Sequence, residues 1–282
     1  MKMLCLDHNS HIDEKLSDYD DDLFQFYHFN ECQIIPNSKG YKMDCEMRKK
    51  VIDWLIDFHY DLELESETLY LSVNILDRFL SQNNFEVLMM DEFKLIGLAS
   101  LLLASKYEQR SVVSMEYLVE YSYTPDEIWG MENLILKEID WILTVPTCYM
   151  FLGKNIRACL LSEKDKIMEN MVFFFSELSL MQYSIMCDYK PSVIVASAVY
   201  CARMVIGRYP LWSHDLNVCS GYSKEKLKSC ARVMMNLCSE ICRDESMQVL
   251  KKFSSSLRWK VARIAKQIFL INHPDLSVHF KM

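Results

Sequence analysis

Leu95-Ile96-Gly97-Leu98-Ala99-Ser100-Leu101-Leu102-Leu103-Ala104-Ser105-Lys106-Tyr107 is apolar on nearly every side of a helical wheel, with small residues at Gly97, Ala99 and Ala104. A helix of that composition is surrounded by other helices that approach it closely. Its uncharged core, Leu95–Ser105, and the comparable run Ser192–Ala202 are eleven residues each. Both are too short for a bilayer, which takes about 20. Each is therefore expected to be the central helix of a soluble lobe.

The two runs belong to a longer self-similarity at an offset near 97 to 99 residues. Ala99-Ser100 returns as Ala196-Ser197, Lys106 as Arg203, and Tyr123-Thr124 as Tyr222-Ser223, while Ala231 stands where the first copy has Glu132. Upstream, Val51, Leu55, Phe58 and Leu62 form one helical stripe, and Leu69, Val73, Leu76 and Leu80 repeat it. Thr124-Pro125-Asp126-Glu127 supplies an N-cap, a first-turn proline and the acidic third residue of a capping box. Pro146 interrupts the chain between the copies. Tyr19–Glu31 puts Leu23, Phe26 and Tyr27 at helical spacing, which predicts a short leading helix.

These features predict an all-α chain of two stacked helical lobes. The N-terminus, 1–18, is expected to be disordered or loosely attached. The first lobe with its leading helix occupies 19–144, the second lobe 145–270, and a tail 271–282.

With 282 residues there is chain enough for two cores, and only 6 Gly and 6 Pro leave few turn signals for short strands. The formal charge of −8 argues against nonspecific nucleic-acid binding. It is unevenly placed: 1–46 carries ten acidic against four basic residues, and 243–282 eight basic against three acidic. Eleven cysteines without CxxC or a secretory leader are expected to be reduced, mostly buried thiols. Cys238 and Cys242 can share a helix face, but two sulfurs alone do not make a tetrahedral zinc site. The six glycines never cluster into a phosphate loop, and no HExxH, GxSxG or Cys/His pattern stands out. Binding is favoured over catalysis, with no cofactor, metal or membrane partner.

Met47-Arg48-Lys49-Lys50-Val51-Ile52-Asp53-Trp54-Leu55, then Leu76-Asp77-Arg78-Phe79-Leu80, then Ala104-Ser105-Lys106-Tyr107-Glu108 resemble, in order and spacing, the cyclin box. Met131-Glu132 and Asp140-Trp141-Ile142-Leu143 continue the resemblance. Met181-Gln182-Tyr183 and Lys190-Pro191-Ser192 look like the family's second box, most like B-type mitotic cyclins. The resemblance implies two five-helix cyclin-box lobes with a leading N-terminal and a C-terminal helix. It also implies a non-enzymatic subunit that binds and activates a cyclin-dependent protein kinase at the G2/M transition, in nucleus and cytoplasm. A transcriptional cyclin, or a transcription-factor-B-like or pocket-type helical adaptor, is the alternative.

The resemblance further assigns Lys106 and Glu132 to gripping the kinase, with Leu103, Tyr107, Leu136, Trp141 and Leu143 as apolar contact area and Leu23 and Phe26 joining from the leading helix. Without it, Lys106 is a helix-end cation and Glu132 a solvated face residue. Arg48 and Asp77 match a charge pair inside the first lobe. Met47, Lys50, Val51, Trp54, Asp57 and Lys94 fall on a patch that docks Arg-x-Leu substrate motifs. Lys50 and Lys94 stand there in place of an apolar residue and an amide, so docking of such cationic motifs is expected to be weak.

Overall fold

The computed structural model describes residues 20–31, 44–82, 88–110, 113, 123–160, 162 and 165–271. Among them are thirteen α-helices and no strand. The expected N-terminal segment 1–18 and nearly all of the tail lie outside the described residues.

The first lobe contains α2 (Cys45–Asp61), α3 (Ser66–Gln82), α4 (Met90–Glu108) and α5 (Pro125–Glu138). Helix α4 carries the quoted apolar run and packs against α2, α3 and α5. A Cβ on Gly97 would stand 3.0 Å from Val51 Cγ1 and 3.4 Å from Leu55 Cδ1, so the missing side chain lets α2 and α4 touch. Helix starts follow the local sequence. Asp44 accepts hydrogen bonds from the Glu46 and Met47 amides, and Thr124 and Glu127 close the expected capping box ahead of Pro125.

The second lobe contains α6 (Cys148–Cys159), α7 (Lys166–Leu180), the short α8 (Tyr183–Asp188), α9 (Pro191–Ile206), α10 (His214–Ser220) and α11 (Lys224–Ile241). Helix α9 is the counterpart of α4, buried among α6, α7 and α11, and it ends at Gly207 in the left-handed conformation. The repeat holds at the level of caps, because Thr124 and Ser223 are the N-caps of α5 and α11. At the site positions it has diverged. Arg203 is buried and spends its guanidinium on the carbonyls of Leu211, Cys159 and Pro210, and Ala231 is fully buried.

Helices α12 (Gln248–Ser254) and α13 (Val261–Ile271) close the fold against both lobes. Asp53 of α2 accepts from the Gln248 and Val249 amides at the start of α12. Lys49 pairs with Glu240, and the Tyr70 hydroxyl donates to Ser176 Oγ at 3.0 Å. Deeper still, Lys252 holds Glu177 at 2.7 Å with both side chains buried. Burial, then this lysine, pushes His59 down to about 3, so the imidazole is neutral.

Helix α1 (Asp20–Asn30) lies on the second lobe, with Phe24 edge-on to Phe151 at 5.4 Å. At its end Glu31 is buried and accepts from the Ser192 amide (3.0 Å) and hydroxyl (2.9 Å) at the start of α9. All nine described cysteines are free thiols. Burial lifts Cys159 and Cys230 to about 12, and the Cys238 and Cys242 sulfurs face each other at 3.9 Å.

Candidate kinase-binding face

Lys106 occupies the last turn of α4 and Glu132 the second turn of α5, and helix packing brings them together. The Lys106 ammonium donates to both carboxylate oxygens at 2.7 Å. Glu132 is only 5% exposed, so it is no solvated face residue, while the Lys106 side chain remains 40% exposed at the rim. Such a pair presents a fixed dipole to anything that docks over it. The remaining ammonium proton and carboxylate lone pairs can meet backbone carbonyls and amides of a partner.

The apolar surroundings differ from expectation in one respect. Leu103 and Leu136 are already 5% and 8% exposed, because they point into the contact between α4 and its neighbours. They support the pair from beneath and offer little new area. The available surface comes from Tyr107, Trp141 and Ile142, with Leu143 half-buried beside them.

Trp141 is 69% exposed for a local reason. After α5 the chain turns through Asp140 (φ 53°) and Trp141 (φ 59°), two consecutive residues in the left-handed region that side chains disfavour. The strain, of order 1–3 kcal/mol per residue, is held by Arg78. Its guanidinium donates to Ile142 O at 2.7 Å and Ile139 O at 3.2 Å, one bond on each side of the turn. Tyr107 is tied to the same segment through a 2.6 Å hydroxyl contact with Thr144. Arg78 lies within the quoted Leu76–Leu80 motif, where the resemblance gives it no role. Its spacing gave no sign that it would reach a turn more than 60 residues later.

Helix α1, packed on the second lobe, carries further exposed apolar residues. Leu23, Phe26 and Phe29 step by three along its solvent side and are exposed, Phe29 by 80%. Phe29 was not foreseen from the sequence, although the same spacing contains it. Tyr27 on the flank of α1 is raised by burial and then by the charges of Glu67 and Glu108, with Tyr107 contributing.

Glu67 itself is pushed up to about 7, first by burial and then by Glu108 and Glu65. The folded chain thus keeps a proton that the unfolded chain releases near 4.5, and stability falls as pH rises through the window from about 4.5 to about 7. Glu67→Gln should remove that slope and stabilise the protein above pH 7. After allowance for partial exposure the gain is about 1 kcal/mol. Urea unfolding at pH 5 and pH 8 measures it, and an unchanged slope in the variant would assign the titration elsewhere.

Arg48 and Asp77 form the expected pair in bidentate geometry, Nε to Oδ1 and Nη2 to Oδ2 both at 2.7 Å, with both side chains buried. The guanidinium also lies 5.3 Å from the ring centre of Tyr183 in α8. Burial raises Asp77 against the opposing pull of Arg48, and Arg48 Nη1 has no hydrogen-bond partner.

On α2, Met47 and Trp54 are half-buried and Lys50 is exposed. Val51 is corrected: it is fully buried against Gly97 and lies under the patch, not in it. Trp54 stacks on Phe58 at 5.7 Å, and the Lys94 ammonium sits 5.7 Å from the Trp54 ring centre. Half-buried Asp57 is raised by burial and by Asp61, while Lys251 lowers it.

Among the described residues no cluster of three or more His, Cys, Asp or Glu could hold a metal ion, and no helix is long and apolar enough to cross a membrane.

Residues 22–144 match the family described as "Cyclin, N-terminal domain" and residues 146–267 match "Cyclin, C-terminal domain". The G2/mitotic-specific cyclin S13-7 of Glycine max is 37% identical over 247 residues, covering 86% of this chain and 93% of that protein. Cyclin-B1-2 of Arabidopsis thaliana is 37% identical over 254 residues, covering 88% of this chain and 56% of the relative. The G2/mitotic-specific cyclin S13-6 of Glycine max is 36% identical over 278 residues, covering 96% and 60%. The chain thus spans little more than half the length of several curated relatives. In fold it is similar to a viral cyclin from herpesvirus saimiri, at a TM-score of 0.66 and 20% identity, covering 77% of this chain and 97% of that one.

Proposed function

The chain belongs to the cyclin family, and from that premise we propose that it is a regulatory subunit that binds and activates a cyclin-dependent protein kinase to drive the G2/M transition. It does no chemistry of its own and works in nucleus and cytoplasm. The G2/mitotic and B-type names of its relatives support the timing. The observation that carries the kinase reading is the Lys106–Glu132 pair set beside the exposed Tyr107, Trp141 and Ile142. A charged register mark beside aromatic area is what a specific protein interface needs at its centre. Kinase activation requires the mobile helix that carries the ion-pair glutamate to be held in place. A rigid, pre-shaped face of this kind can hold a helix.

Mixing the chain with a cyclin-dependent kinase should give a one-to-one complex on size exclusion and raise phosphorylation of a short generic peptide. A chain that co-elutes with no such kinase and leaves its rate unchanged would sink the proposal. Within the complex, Trp141→Ala should cost at least ~2 kcal/mol of affinity by calorimetry. The fold should survive, since so much of the indole is in solvent.

A further inference from the structure

The buried Arg48–Asp77 pair and the Trp141 turn are both held from one turn of α3. Asp77 and its neighbour Arg78 leave that helix in different directions, the carboxylate into the core against Arg48 and the guanidinium to the end of α5. Arg78 is half-buried there. Burial lowers it against the pull of Asp140, and a guanidinium keeps its charge through such a shift. Two of the bonds that close the turn belong to α5 itself: the Trp141 amide donates to Leu136 O at 2.9 Å and the Asp140 amide to Lys137 O at 3.3 Å. Those bonds travel with the helix end. The bonds from Arg78 to Ile139 O and Ile142 O come from another helix, so they fix where the turn sits on the lobe. They also bracket the two residues, Asp140 and Trp141, whose φ values of 53° and 59° side chains disfavour. The indole itself does little to hold this geometry, because most of it is in solvent.

We propose that Arg78 is a positioning residue for kinase binding: it locks the strained Asp140–Trp141 turn in the arrangement that presents the indole, and it acts through Trp141 without touching the kinase. An indole fixed before docking spares the complex the cost of ordering it on binding. The kinase as partner rests on the function proposed above; the hold of Arg78 on the turn does not.

The test is a double-mutant cycle on the full chain, read by calorimetry against a cyclin-dependent kinase. Arg78→Ala should weaken the complex about tenfold. The same change made in Trp141→Ala should cost less than about twofold, because the side chain it positions is gone. A general loss of fold would lower affinity alike in both backgrounds, so it cannot produce this non-additivity. Should circular dichroism show Arg78→Ala unfolded, Arg78→Lys takes its place in the cycle, since an ammonium keeps the charge but cannot span both carbonyls as a fork does. In the free chain, hydrogen exchange at the Trp141 and Ile142 amides should quicken about tenfold in Arg78→Ala while exchange within α9 stays as it was. That measurement needs no kinase, so a failure of the kinase reading leaves it standing. Unchanged affinity in Arg78→Ala, equal costs in the two backgrounds, or unchanged exchange at the turn would overturn the proposal.

Discussion

Asp77→Ala should destabilise the protein by about 3–5 kcal/mol, because it leaves the buried Arg48 guanidinium without its carboxylate. The whole side chain is sealed between α2, α3 and the Tyr183 ring, and Nη1 is already unpartnered, so no solvent can replace the lost bonds. Arg48→Met with Asp77→Leu should recover most of the loss, since burying two apolar groups avoids the desolvation that the pair must overcome. Equilibrium urea unfolding of the two variants is the measurement. Loss below about 1 kcal/mol in Asp77→Ala would mean that water reaches Arg48 in solution.

Reversing one charge at the Lys106–Glu132 pair, which the proposed function sets against the kinase, should act twice. Glu132→Lys puts a second ammonium beside Lys106 at a position nearly closed to solvent, so the variant should lose fold stability as well as kinase affinity. Lys106→Glu is milder for the fold, because its side chain is more exposed. Combining both changes should restore an internal ion pair, and with it the unfolding midpoint, while the dipole offered to the partner stays inverted. Kinase affinity should therefore remain at least tenfold down, about 1.4 kcal/mol, in a protein as stable as the original. Recovery of affinity together with stability would show that the pair serves only the fold.

Much of this was legible in the sequence because it depends on short-range rules. The apolar run of α4 and the Thr124–Glu127 cap are properties of neighbouring residues, and the structure follows them. Pairing of Arg48 with Asp77 followed from family resemblance and stands at 2.7 Å, whereas the resemblance singled out Lys106 and Glu132 without joining them, and their 2.7 Å contact comes from the packing of α4 on α5. Orientation around a helix was harder. Val51 has the same spacing as Met47 and Trp54 yet turns under the patch, since Gly97 leaves room for it there. Leu103 and Leu136 match contact positions and are spent on the core. The least visible elements were long-range polar ties. Arg78 across the Trp141 turn, Asp53 on α12 and Lys252 with Glu177 depend on where remote segments arrive, which no local pattern records.

The anchoring of Glu31 on Ser192 has a consequence for synthesis of the chain. The two residues are 161 positions apart, so α1 leaves the ribosome long before the helix end that receives it. Until α9 is made, the Glu31 carboxylate has no Ser192 amide to accept from, and α1 with its exposed Leu23, Phe26 and Phe29 lacks that anchor. A nascent or truncated chain could fold its first lobe and form the Lys106–Glu132 pair while still lacking the α1 stripe. If the proposed kinase face includes α1, it is complete only once the chain has been made as far as the start of α9, so tight assembly waits for that stretch of the second lobe.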